Sequence, residues 1–147
     1  MKRIALFPGS FNPFTKGHKN IVERTLQSVA DTVIIAIGNN CEKKCMQTVE
    51  ERVESIQRVF KGNEKVRVMA YEGLTIDFAK SVNADFIVRG VRSIKDFEYE
   101  REIADVNRKL SGIETILLYT EPEYASISSS IVRELKSYGK DVSQFLP

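Results

Sequence analysis

Five short apolar runs alternate along this chain with stretches of helical periodicity, and few folds accept that pattern. The runs cover residues 3–7, 33–37, 66–69, 86–88 and 115–119. Several are apolar throughout rather than alternating, as expected of strands covered on both faces. Between them, Ile21, Val22, Leu26 and Val29 make one helical face. Val49, Val53, Ile56 and Phe60 make a second, opened by a Thr48-x-x-Glu51 capping box. Residues 74–82 fit a shorter helix. Tyr99, Ile103, Val106 and Leu110 form a further stripe, and Ser128 can cap a last helix with Ile131, Val132, Leu135 and Tyr138 inward. Residues 141–147 fit a final turn. Strand and helix alternating about five times define an α/β chain with an open, doubly wound, five-stranded parallel sheet. Right-handed crossovers then gather any ligand at the carboxyl ends of the strands.

With 147 residues and no repeat, linker or low-complexity tract, the whole chain, 1–147, reads as one domain. No apolar run approaches the ~20 residues of a spanning helix, and Pro8 and Gly9 interrupt the N-terminus too early for a signal-peptide core. A cytoplasmic protein, off the membrane, is expected. Cys41 and Cys45 lack the further Cys or His of a tetrahedral zinc site and read as free thiols. The net charge of +2 is too small, and its basic residues too scattered, for nucleic acid.

Three segments that begin where strands end carry the chemistry. The first runs from Phe7 through Pro8, Gly9, Ser10 and Phe11 to Gly17 and His18. Pro8 and Gly9 are expected to stop the strand and make a tight turn, leaving the Ser10 and Phe11 amides to face a phosphate. Gly17 and His18 open the next helix, whose N-terminus favours anions. Neither common glycine-rich phosphate loop is present, so an imidazole at a helix N-terminus is the better fit. In the second segment Arg89 and Arg92 flank Gly90 and Val91, with Asp96, Glu98 and Glu100 following. Both arginines can fork onto phosphate oxygens, and Gly90 lets the backbone pass close to a ligand. The third, Tyr124-Ala125-Ser126-Ile127-Ser128-Ser129-Ser130, brings hydroxyls and helix amides together as a second anion cradle.

These segments resemble motifs of the nucleotidyltransferase superfamily, whose sheet is Rossmann-like. The first is similar to G-[ST]-F-D-P-x-T-x-G-H, departing at Asn12, where Asp is common. Asn12 can still brace the turn, without charge. The second resembles the R-G-[LV]-R-x-x-x-D-F-E-Y-E signature of phosphopantetheine adenylyltransferases, and the third resembles I-S-S-[ST]. The resemblance implies transfer of the adenylyl group of ATP to 4′-phosphopantetheine, giving dephospho-coenzyme A and pyrophosphate. It implies catalytic roles for Ser10, His18, Lys43 and Arg92. ATP contacts fall on Ser10, Phe11, His18, Gly90, Val91, Arg92, Glu100 and residues 124–130. Acceptor contacts fall on Ser10, Lys43, Leu74, Thr75, Arg89 and Asn107. The alternation of faces does not separate Lys43 from Lys44.

The acceptor phosphate, with a second pKa of about 6, is already nucleophilic near pH 7. The task is to align two anions and neutralise their charge, for which His18, Lys43, Arg89 and Arg92 are the supply. Mg²⁺ is expected on the triphosphate, held by phosphates and water rather than by a protein metal site. The resemblance further implies a homo-oligomer, commonly a hexamer. The resemblance also leaves room for feedback binding of coenzyme A. The nearest alternative is a nicotinamide or nicotinate mononucleotide adenylyltransferase. Such enzymes usually carry a second histidine where this chain has Thr15, and they lack the signature from Arg89 to Glu100.

Overall fold

A computed structural model describes residues 2–39 and 47–147. Lys43, Lys44, Cys41 and Cys45 lie outside the described residues. The chain runs β1 (Ile4–Gly9), α1 (Lys16–Ser28), β2 (Thr32–Gly38), α2 (Val49–Val59), β3 (Val66–Tyr71), α3 (Thr75–Ser81), β4 (Phe86–Val91), α4 (Ile94–Ser111), β5 (Glu114–Tyr119) and α5 (Ser129–Ser137). Single 3₁₀ turns flank α5 at Pro122–Tyr124 and Ser143–Phe145. The strands are all parallel in the order β3-β2-β1-β4-β5. Val22, Ile35, Ile56 and Val88 belong to the core on one face, beneath α1 and α2. Leu6, Ile34, Ile87, Ile76 and Ala79 make the core on the other, beneath α3.

The strand order reverses between β1 and β4, and there the sheet opens. Ala5 and Leu6 pair with Phe86 and Ile87, whereas β1 stays paired with β2 through Gly9↔Ile37. Pro8 therefore does not stop the strand, contrary to the sequence expectation. Its missing N–H is tolerated where β1 has neighbours on one side only. Likewise β3 and β4 extend past their apolar runs to Tyr71 and Val91. The divergence of β1 from β4 leaves a crevice at the carboxyl ends, where an open parallel sheet binds ligands.

Helix starts follow the capping chemistry in the sequence. The Thr48 hydroxyl accepts from the Glu51 amide at 3.1 Å while Glu51 accepts from the Thr48 amide at 3.3 Å. The Ser128 hydroxyl accepts from Ile131 at 3.1 Å. Two apolar stripes depart from expectation. On α4, Tyr99, Ile103, Val106 and Leu110 are all exposed, and on α5 only Val132 is fully buried while Ile131 and Tyr138 face outward. Periodicity marks an apolar face but not what covers it, and neither core includes a residue of α4 or α5.

Candidate active site

The crevice divides into two adjoining clefts of about 590 and 300 Å³. Gly9, Ser10, Arg89, Tyr99 and Glu100 line both. The larger cleft also takes Phe11, Gly17, His18, Gly90, Arg92, Tyr124, Ile127, Ser128, Ser129 and Ser130 among the residues singled out in the sequence. The smaller takes Thr75 and Asn107. Val91, Ala125, Ser126 and Leu74 line neither. Val91 is buried and offers its carbonyl to the Thr120 amide, and Leu74 is exposed at the start of α3.

His18 sits at the third position of α1 in a reciprocal cap. Its Nδ1 accepts the Thr15 amide at 2.9 Å, and its own amide donates to the Thr15 hydroxyl at 3.4 Å. A nitrogen that accepts carries no proton, so the neutral ring bears its hydrogen on Nε2. Burial, and then the Arg89 and Arg92 charges, lower its pKa from 6.5 to about 3. His18 is therefore a neutral donor, a protonation state that the sequence left open. Phe11 stands edge-on to the imidazole with centroids 5.0 Å apart, and Phe14 lies 5.3 Å away. Gly9 is required by the same packing, since a methyl there would lie 2.9 Å from the Phe11 ring.

Arg89 is committed to structure more than its sequence context suggested. Its Nε donates to both oxygens of Glu100, at 3.0 and 3.1 Å, and its Nη2 donates to Oε2 at 2.8 Å. Its Nη1 donates to the Pro8 carbonyl, tying β4 to β1 across the open end of the sheet. The remaining Nη hydrogens are left for a ligand. Arg92 pairs with Asp96 at 3.3 Å and is part-exposed to the cleft. Gly90 serves packing as well as access: a methyl there would press on Ile21 of α1 at 3.2 Å.

The serine hydroxyls do not form the open cradle expected. Ser128 caps α5, Ser129 donates to the Pro13 carbonyl at 2.7 Å, and Ser130 accepts from Arg133 at 3.2 Å. The first-turn amides of α5 and the Ser130 hydroxyl hydrogen are the groups suited to an anion. Sequence reasoning missed Arg133, Thr120, Tyr99 and Tyr71. Arg133 lines the larger cleft and donates to the Asn12 carbonyl at 2.7 Å. Its signal was a cation one turn into a helix whose N-terminus had already been marked. Tyr71 hydrogen-bonds Thr75 at 2.8 Å in the smaller cleft, just past the apolar run that marked β3.

A cleft lined with arginines and serines, beside a histidine-capped helix at the switch point of a parallel sheet, is the arrangement of a nucleotidyltransferase-type protein. Accordingly, residues 6–135 match the cytidylyltransferase-like family. The phosphopantetheine adenylyltransferase of Bacteroides thetaiotaomicron is 57% identical over 145 residues, covering 99% of this chain and 95% of that protein. That of Phocaeicola vulgatus is 58% identical over 145 residues, with the same coverage. The chain belongs to the phosphopantetheine adenylyltransferase family. A solved bifunctional NMN adenylyltransferase/ADP ribose pyrophosphatase from Francisella tularensis, complexed with AMP and Mn ion, shares the fold. Its TM-score is 0.72 at 19% identity, covering 99% of this chain and 44% of that one.

Proposed function

We propose that the chain transfers the adenylyl group of ATP to 4′-phosphopantetheine, releasing pyrophosphate and dephospho-coenzyme A. The observation that carries this reading is the pair of clefts meeting at Ser10 and Arg89. The larger, with His18, Arg92, Arg133 and the α5 amides, suits a nucleoside triphosphate. The smaller mixes the apolar Ile87 and Ile103 with Asn107, Thr75 and Tyr71, which suits an amide-bearing aliphatic arm. The acceptor phosphate then enters at the junction, in line with the α-phosphate. Being a dianion near pH 7, it needs no general base. The cleft instead aligns the reactants and stabilises charge on the phosphorus under attack. His18 donates from Nε2, Ser10 from its hydroxyl, Arg92 carries triphosphate charge, and Lys43 reaches the acceptor phosphate by family resemblance.

Mg²⁺ would enter this site as cargo of the nucleotide. The cleft carboxylates Asp96 and Glu100 are already engaged by Arg92 and Arg89. When bound, the ion would neutralise the triphosphate and favour pyrophosphate as leaving group. Assembly with further copies, a hexamer by resemblance, is supported by the exposed apolar face of α4. No helix among the described residues is long and apolar enough to cross a membrane, and these water-soluble substrates support a cytoplasmic setting.

The test is pyrophosphate release from ATP with 4′-phosphopantetheine and, separately, nicotinamide mononucleotide. Turnover is expected with the first alone, and turnover only with the second overturns the assignment. Arg92→Ala is expected to raise the KM for ATP by about 10-fold, the scale of one lost hydrogen bond to a charged group. The acceptor KM should move less. Unchanged steady-state kinetics with both substrates would remove Arg92 from the site.

A further inference from the structure

Three guanidinium groups from three elements hold alternate carbonyls from the end of β1 into the segment that follows it. Arg89 of β4 takes Pro8, Arg52 of α2 takes Ser10 and Arg133 of α5 takes Asn12. Two of these arginines line the larger cleft, while Arg52 does not. Arg52 is 1% exposed, and no described carboxylate pairs with it. Its Nη1 donates to the Ser10 carbonyl at 2.5 Å and its Nε to the Thr48 carbonyl at 3.4 Å. A buried charge given to main-chain carbonyls is a costly way to hold a turn, so its position matters.

The Ser10–Phe11 peptide is trans, and in a trans peptide the carbonyl and the following N–H point opposite ways. Drawing the Ser10 oxygen toward α2 therefore turns the Phe11 N–H away from α2. Ser10 and Phe11 line the larger cleft, and no residue of α2 does. Phe11 also has φ +48°, a conformation that a bulky residue keeps only when its surroundings impose it. We propose that Arg52 is a positioning residue for the transfer reaction, holding the Ser10–Phe11 peptide so that the Phe11 amide faces the phosphate site beside His18. The inference rests on the reading of the larger cleft as a phosphate site.

The test compares wild type, Arg52→Met and Arg52→Lys by melting temperature, by steady-state kinetics with ATP and 4′-phosphopantetheine, and by the ¹⁵N–¹H shift of the Phe11 amide on adding inorganic pyrophosphate. Arg52→Met is expected to fold, to lose about 10- to 100-fold in kcat/KM, and to lose the pyrophosphate-induced shift seen in wild type. Arg52→Lys should fall between the two, because an ammonium keeps the charge but lacks the planar fork that spans both carbonyls. A folded Arg52→Met with a lowered melting temperature but kcat/KM within twofold of wild type overturns the proposal and leaves Arg52 structural. If Arg52→Met does not fold, Arg52→Lys decides: a loss of about threefold or more supports positioning, and wild-type kcat/KM overturns it. If wild type itself shows no turnover, the functional reading fails. The Phe11 shift then judges Arg52 independently, and an equal shift in wild type and variant overturns the proposal.

Discussion

Replacing His18 with alanine is expected to lower kcat by about two to three orders of magnitude, while ATP affinity changes less than about tenfold. The reason is a proton fixed in place. The Thr15 amide occupies Nδ1 at 2.9 Å, so the only ring hydrogen lies on Nε2. With its pKa lowered to about 3 by burial and by Arg89 and Arg92, the ring stays neutral at working pH. Such a donor contributes most where negative charge grows in the transition state, and losing one costs about 10²–10³ in kcat. Steady-state kinetics with ATP-binding calorimetry checks it, and near-normal turnover would be fatal to the assigned role. The same ionisation gives a stability signature. At pH values between 6.5 and 3 the unfolded chain holds a proton on His18 that the folded chain does not, so stability falls as pH falls through that window. Urea melts from pH 7 to pH 4 should show that slope in wild type and a reduced slope in His18→Ala. Above pH 6.5 the ring is neutral in both states and stability no longer depends on its titration.

The parallel sheet was legible because fully apolar runs such as residues 33–37 have few alternatives to a buried strand. The strand ends were not. Residues 8–9 and 89–91 look like breakers and polar loop, yet they extend β1 and β4, because sheet pairing is set by neighbours far along the chain. The opening of the sheet after Leu6 explains why Pro8 is tolerated, and pairing lost on one side cannot be read locally. Motif residues were legible by type, while their bonding was not. Arg89 reads as a phosphate fork in sequence, but the fork is held by Glu100, eleven residues on. The Ser128–Ser130 hydroxyls read as a cradle, but Pro13 and Arg133 engage two of them. Arg52 stayed hidden for a related reason: a charged residue at a helical position that faces the core is indistinguishable in sequence from a solvated one. Tyr99, Ile103, Val106 and Leu110 show the converse, an apolar face with a clear period that the described residues leave exposed.

Glu100 is the counter-intuitive residue of a site made for anions, and its removal separates structure from charge. A carboxylate beside two substrate phosphates is repulsive, so on charge alone Glu100→Ala should help binding. The geometry leads to the opposite expectation. Glu100 is 7% exposed and receives three of the contacts that aim Arg89, whose Nη1 also ties β4 to the Pro8 carbonyl. Without it the guanidinium keeps only the Pro8 carbonyl and can swing about that contact, in a position that lines both clefts. A misplacement of about 1 Å at such a point costs on the order of 100-fold, so kcat/KM should fall by about that factor for ATP and for the acceptor alike. Breaking a fully buried pair costs about 3–5 kcal/mol. With Arg89 one-third exposed the cost should be nearer 2 kcal/mol, or roughly 4–8 °C in melting temperature. Arg89→Ala should be matched by the double variant rather than added to it, since the two residues act as one unit. Additive losses in that cycle, or a Glu100→Ala enzyme impaired toward ATP alone, would show that the pair does not join the two clefts.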